Sequence, residues 1–442
     1  MSYELIALLM FASFMLLLLS GQRVFGAIGV VASVFALSLW GEGAVQMPFA
    51  STITLLNWYP MLTLPMFIYM GYMLSESGIA SDLYRMFHVW TGPMRGGLAV
   101  GTILLMVAIS AMNGLSVAGM AIGATIAMPE LLKRGYDKVM VTGVIQAGST
   151  LGIMLPPSVV FVLYAMIARQ PVGQLWLAGV GPGLLLALLF IIYVLVRCYL
   201  QPKLGPPLPA EERANITWGE KIRLLKAGLL PLFIIFAMTG LFVMGFTSMV
   251  ESSAVGALAA TLVAWGKKRL NRRVMHDVLR KSLAVSCMFM WIILAALAFG
   301  AVFDGLGAVR AIEVLFLEEW GLQPWQVLLL MQVTYLIMGT FLDDTAMLII
   351  VAPLYIPLII ALGFNPIWYG VLYVITCQIA YITPPFGYNL FLMRAMAPKD
   401  VTLVDIYRSI VPFVLIMIVG LALVIIFPQI ALWLPDKVYG PK

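Results

Sequence analysis

Apolar residues run along this chain in long stretches, separated by short charged breaks. Crossing a bilayer takes about 20 apolar residues. Stretches of that kind fall at about 4–20, 24–44, 50–74, 138–168, 172–199, 226–246, 249–266, 282–301, 366–395 and 404–432. The first reads as a true span and not a secretory leader, because it carries Glu4 where a leader has basic residues. Two further stretches, 97–133 and 325–361, are broken midway, at Met112-Asn113-Gly114-Leu115-Ser116 and at Asp343-Asp344-Thr345. Both read as re-entrant hairpins, whose tips are tolerated only where protein or a watery cavity satisfies the backbone. The segments 75–96 and 302–324 are amphipathic and read as surface helices leading into the hairpins.

Composition agrees with a membrane protein: 62% of residues are hydrophobic and 10% charged. A soluble chain spends about a quarter of its residues on charge, so a soluble enzyme is excluded. Ten crossings and two hairpins place 22 of the 26 basic residues on one side, leaving Arg169, Arg310, Lys437 and Lys442 on the other. The positive-inside rule makes the basic side cytoplasmic, so both termini are expected outside. The run Lys267-Lys268-Arg269 with Arg272, Arg273, Arg280 and Lys281 is the strongest anchor, and reads as topology and not as a nucleic-acid site. Cys198, Cys287 and Cys377 lie in apolar runs and imply no disulfide framework. No Walker-type loop occurs, so ATP hydrolysis is not expected.

The chain also resembles itself. Positions 110–160 match 338–388 at an offset of 228: Pro129 falls on Pro357, Gly135 on Gly363, and Pro156-Pro157 on Pro384-Pro385. Upstream the offset is 229, where Gly71 meets Gly300 and Gly78 meets Gly307. The topology makes the halves opposite in orientation, each with five spans and one hairpin. The expected fold is therefore an all-α polytopic membrane protein with an inverted repeat and elevator-type ion transporter architecture. Opposed repeats with broken helices are typical of secondary transporters, with the site at the midplane. The corresponding division is scaffold spans at 1–74, transport elements at 75–170, scaffold and loops at 171–281, a span and outer arm at 282–324, transport elements at 325–398 and a last scaffold span at 399–442.

Each hairpin precedes a helix that must break at its Pro-Pro, because proline removes a donor and clashes with the preceding turn. A break frees carbonyls, which suit Na⁺, and exposes a helix N-terminus, which suits an anion. Asn113, Ser116, Ser149 and Thr150 offer neutral oxygens in the first half. Asp343 and Asp344 lie near the expected bilayer centre, where acids are ion or proton sites by default. Asp343 is the expected functional acid, while Asp344 suits a helix cap. No lysine or arginine falls in either tip, so an anionic substrate is expected on helix ends and hydroxyls: Ser116, Thr150, Pro156, Pro157 and Ser158 in one half, Thr345, Thr383, Pro384 and Pro385 in the other.

These residues resemble a known family. The run Pro129-Glu130-Leu131-Leu132-Lys133-Arg134-Gly135-Tyr136-Asp137, then Gly148-Ser149-Thr150-Leu151-Gly152 with Pro156-Pro157-Ser158, looks like the large membrane subunit of tripartite ATP-independent periplasmic (TRAP) transporters. So do Gly339-Thr340-Phe341-Leu342-Asp343, Thr383-Pro384-Pro385-Phe386-Gly387 and Trp433-Leu434-Pro435. The resemblance implies a Na⁺-driven, elevator-type importer of organic acids in the bacterial inner membrane. It implies two partners, a small four-span membrane subunit and a soluble periplasmic substrate-binding protein, and no cofactor beyond the coupling ion. One Na⁺ would sit between Asn113, Gly114 and Ser116 and the break at Gly148, Ser149 and Thr150. A second would sit between Asp343, Asp344 and Thr345 and the break spanning Thr376, Gln378 and Thr383. The chain departs from the family at Thr376 and Ala380, where Asn and Gly are commoner, so carbonyl ligands are expected there. Rival readings are a stand-alone Na⁺–dicarboxylate symporter and a membrane-embedded enzyme, whose base would have to be His88 or His276, both outside the spans.

Overall fold

Asp137 and Asn365 open two helices in the same way. The Asp137 Oδ1 accepts from the Met140 N–H at 2.9 Å, and the Asn365 Oδ1 from the Ile367 N–H at 2.8 Å. Each short polar side chain satisfies a donor that a helix start leaves without a partner. The computed structural model describes residues 2–41, 43–114, 116–215, 217–339, 344–384 and 387–440.

Among them every regular element is helical. The first half comprises α1 (Tyr3–Leu19), α2 (Val24–Phe35), α3 (Gln46–Leu56), α4 (Thr63–Glu76), α5 (Ile79–Thr91), α6 (Gly97–Asn113), α7 (Ser116–Ile122), α8 (Met128–Lys133), α9 (Lys138–Thr150), α10 (Val159–Ala168) and α11 (Val172–Leu200). The linking region holds α12 (Ala210–Asn215), α13 (Trp218–Ile235) and α14 (Leu241–Val243). The second half comprises α15 (Met249–Gly266), α16 (Arg272–Gly305), α17 (Ala308–Val314), α18 (Pro324–Gly339), α19 (Asp344–Ala361), α20 (Pro366–Tyr381), α21 (Tyr388–Met396), α22 (Leu403–Ile426) and α23 (Gln429–Tyr439).

Both broken stretches are pairs of helices, α6 with α7–α8 and α18 with α19. Both Pro-Pro segments interrupt a helix, between α9 and α10 and between α20 and α21. Helix starts recur at the offset read from the sequence: 116 against 344 and 138 against 366. The turn glycines match too, with Gly78 and Gly307 at φ of 77° and 79°, and Gly135 and Gly363 at 77° and 78°. Only glycine adopts that left-handed backbone freely.

Four expected spans differ from the helices observed. The stretch 50–74 is two helices, because Pro60 cannot donate to a continuing ladder and the chain tightens into a 3₁₀ turn at Tyr59–Leu62. The stretch 404–432 ends at Ile426, where Phe427-Pro428 turns the chain into α23. The span expected at 282–301 is longer, since Asn271 caps α16 and its first turns carry basic residues. The span at 226–246 likewise starts earlier, at Trp218.

Two sets of helices meet where α16 packs on α19 and α4 on α6. In one, α4 lies against α15 and α16, and α2 against α1 and α16. In the other, α9 packs against α6 and α22, α18 against α20, and α11 against α20 and α22. Thus α11 and α22 lie with the broken helices. Gly143 illustrates the contact, since a Cβ there would come 2.6 Å from the Ser409 carbonyl oxygen. Among the described residues four helices, α11, α15, α16 and α22, are long and apolar enough to cross a membrane. Exposed residues such as Leu188, Val196, Trp265, Leu283 and Trp291 are the apolar surface that lipid requires.

The amphipathic helix α5 buries Ile79, Leu83, Met86 and Val89 and holds charge on its other face. Asp82 pairs with Lys267, and Arg85 with Glu220 at 3.0 Å. Where hairpin α6–α8 ends, Arg134 grips Glu212 with two hydrogen bonds, at 2.7 and 2.9 Å, and Glu130 with a third at 2.7 Å. The His88 Nε2 lies 3.8 Å from Glu212. Burial, with the Arg134 charge second, holds His88 below its ordinary value. Arg134 hydrogen bonds hold Glu212 low as well.

Candidate functional site

The first hairpin tip meets the first break by direct contact. Gly114 has φ of 64°, and a Cβ there would stand 1.9 Å from the Pro157 carbonyl oxygen. The Val159 N–H reaches back to the Gly114 carbonyl at 3.4 Å. Glycine is required twice over, for its backbone angle and for the approach. Farther along the second arm, Gly119 would bring a Cβ to 3.3 Å from the Ser149 Cα, so α7 lies directly on the end of α9.

At that end Gly148, Ser149 and Thr150 are buried. Ser149 donates to the Gln146 carbonyl at 2.8 Å and Thr150 to the Ala147 carbonyl at 2.7 Å. These back-bonds occupy the hydroxyl hydrogens and leave oxygen lone pairs for other partners. Pro156 and Pro157 are buried within the break. Ser158 closes it by donating to the Ile153 carbonyl at 2.5 Å and accepting from the Phe161 N–H at 3.2 Å. Its hydroxyl is thus a helix cap. Asn113 ends α6.

Across the molecule, the Thr376 hydroxyl oxygen lies 2.7 Å from the Gln332 Oε1 and 2.9 Å from the Leu372 carbonyl oxygen, sharing one hydrogen between them and tying α20 to α18. Thr383 donates to the Ile379 carbonyl at 2.6 Å. Gln378 is fully buried with neither amide atom hydrogen-bonded. Leaving such an amide unpaired costs free energy. Gly339 would place a Cβ 2.3 Å from the Ala380 Cβ, so α18 closes tightly on the end of α20. Asp344 and Thr345 begin α19 and Pro384 is exposed. Asp343 and Pro385 lie outside the described residues.

Asn389 has no counterpart among the residues singled out from the sequence. It stands two residues beyond Gly387 on α21 and is fully buried. Its amide nitrogen lies 3.1 Å from the Ser116 Oγ, 3.0 Å from the Ser149 Oγ and 3.4 Å from the Gln146 carbonyl. The half-helix after the second break therefore docks on the first hairpin. Conversely α10, which follows the first break, packs against α19 and α20, where Tyr164 donates to the Pro366 carbonyl at 2.7 Å. The signal in the sequence was slight: a lone amide in an otherwise apolar half-helix. Gln332 was missed for a similar reason, as one amide within an apolar arm.

Helix α9 ends at Thr150 and α10 begins at Val159, so one break carries a carbonyl end and an amide end. The carbonyl end favours cations and the amide end anions. Broken helices crossed by hairpins in an apolar bundle define a multi-pass membrane permease, not an enzyme.

Residues 11–430 match the family model described as "Tripartite ATP-independent periplasmic transporter, DctM component", and the chain belongs to that family. The C4-dicarboxylate TRAP transporter large permease protein DctM of Pseudomonas aeruginosa is 33% identical over 386 residues, covering 86% of each chain. The ectoine TRAP transporter large permease protein TeaC of Halomonas elongata is 27% identical, covering 86% of this chain and 87% of that one. Among solved structures, the YdaH transporter of Alcanivorax borkumensis superposes with a TM-score of 0.65 at 15% identity, covering 91% of this chain and 92% of that chain. That likeness concerns the fold alone.

Proposed function

We propose that this chain is the large permease of a Na⁺-coupled importer of small organic carboxylates in the bacterial inner membrane. It works with a small membrane subunit and a periplasmic binding protein that delivers the substrate. The observation that carries the reading is the crossing of the halves: α21 rests on the first hairpin through Asn389, and α10 rests against the second. The first tip meets its broken helix at Gly114 and Pro157, where carbonyl and hydroxyl oxygens gather, a setting that suits Na⁺.

The two halves form an inverted repeat, with both termini periplasmic. The first Na⁺ is held near Gly114, Ser116 and the end of α9, and the second near Asp343, Thr345 and the end of α20. The anion lies between them at the helix N-termini. The moving unit comprises the hairpins, the broken helices and also α11 and α22, which favour it by packing on α9 and α20. Helices α1–α4 and α13–α16 form the static scaffold. The relatives named for C4-dicarboxylate and ectoine support small charged solutes as the substrate class.

Reconstitution in proteoliposomes tests the reading. With the small subunit and a loaded binding protein, uptake should follow an inward Na⁺ gradient, and Asp343→Asn should weaken its Na⁺ dependence. Uptake by the chain alone would instead favour a stand-alone symporter. Uptake indifferent to Na⁺ would refute ion coupling.

A further inference from the structure

A cavity of about 960 Å³ has none of the described hairpin residues in its walls. Its walls come from α3 and the turn after it (Asn57, Trp58), from the α10–α11 turn (Arg169, Gln170), and from Phe242 and Ala301. It therefore lies between helices assigned above to the scaffold and to the moving unit, and all of these segments fall on the outer side of the topology read from the basic residues.

Arg169 stands in it with a left-handed backbone, φ 52°, capping α10 through its N–H to the Ala165 carbonyl. Helix caps of that geometry usually carry glycine, so an arginine there is held against its backbone preference. No described carboxylate lies within ion-pair reach of it. On the outer side the cations are few while acids such as Glu4, Glu251, Asp304, Glu313 and Glu318 recur. On a face of that charge, one cation in an amphipathic cavity is where an anion would be drawn and held. The neighbouring Asn57 and Gln170 amides can share its head, and Trp58 and Phe242 can cover its apolar part.

We infer that this cavity is an outer vestibule in which Arg169 receives a small organic carboxylate before it reaches the hairpins. The inference rests on the transport reading above, and its test separates the two. In a chain whose three cysteines are replaced, Thr54→Cys places a thiol in the cavity wall. Full-length protein in phosphatidylcholine nanodiscs is then labelled with an anionic and a cationic methanethiosulfonate. The anionic reagent should react faster, and Arg169→Gln should lower the anionic-to-cationic rate ratio about tenfold, the low end of electrostatic steering. Arg169→Lys should keep most of the preference. Succinate, a C4-dicarboxylate, should slow labelling with Arg169 present and not in the Arg169→Gln chain.

An unchanged ratio, or a thiol that neither reagent reaches, overturns the vestibule. So does slow anionic labelling that appears only when phosphatidylglycerol is added, which would assign the cavity to a lipid head group. In proteoliposomes Arg169→Gln should raise about tenfold the concentration of loaded binding protein that gives half-maximal uptake. If wild-type protein takes up nothing, the transport reading fails while the labelling ratio still reports on the cavity.

Discussion

The Asn389 amide nitrogen lies 3.0 Å from the Ser149 hydroxyl oxygen, across 240 residues of chain. One buried amide thereby ties the half-helix after the second break to the end of the first broken helix and, through Ser116, to the first hairpin. Asn389→Ala strips three buried acceptors of one donor. Leaving buried groups unpaired costs about 1–3 kcal/mol. Thermal unfolding in detergent should show a lowered midpoint, and an unchanged midpoint would mean that the tie carries no stability.

Two left-handed glycines separate backbone strain from close contact. At Gly135 nothing lies within 4 Å of an added Cβ, so Gly135→Ala pays only the backbone cost of about 1–2 kcal/mol. At Gly114 the same methyl would press on the Pro157 carbonyl. Gly114→Ala should therefore lower the unfolding midpoint further than Gly135→Ala, and should weaken Na⁺ dependence of uptake where Gly135→Ala does not. Equal effects of the two would contradict contact between tip and break.

Gln378 is a buried amide that the fold leaves unpaired. Gln378→Leu keeps a comparable volume and removes a burial penalty of about 1–3 kcal/mol, so the unfolding midpoint should rise. Uptake should fall in the same variant. A lowered midpoint would show that Gln378 serves structure.

The Arg134–Glu212–His88 cluster should respond to acid in two steps. His88 sits below its ordinary 6.5 because burial disfavours the imidazolium, so its contribution is complete above that value and fades as pH falls beneath it. Glu212 sits below its ordinary 4.5 because Arg134 hydrogen-bonds the carboxylate, so its contribution persists to lower pH and is lost as pH falls through its depressed value. His88→Gln should flatten the upper step and Glu212→Gln the lower one, read as unfolding midpoint against pH. A wild-type midpoint that stays constant as pH falls from about 7 to 5 would refute the His88 step, and one that stays constant on further acidification would refute the Glu212 step.

Hairpin positions and both breaks were legible because proline and polar residues stand out against apolar background. Gly114, Ser116, Ser149 and Thr150 fall in those segments. The spans at 50–74 and 404–432 misled because hydropathy sums over a window and does not register one proline. Asn389, Gln332 and the Arg134–Glu212 pair were out of reach for a different reason. Their partners are distant in sequence, and a lone amide or a loop glutamate carries no periodic signal.

By itself, then, the sequence determined an all-helical membrane protein, two apolar stretches that divide into paired helices and two Pro-Pro segments that interrupt helices. These follow from local physics: burial in lipid demands apolar runs, proline ends ladders, and glycine permits left-handed turns. Only the tertiary structure decided that each half-helix rests on the opposite half's hairpin, that α11 and α22 lie with the broken helices, and that Arg169 stands in a cavity. Those are relations between surfaces, and they exist only once the chain has packed.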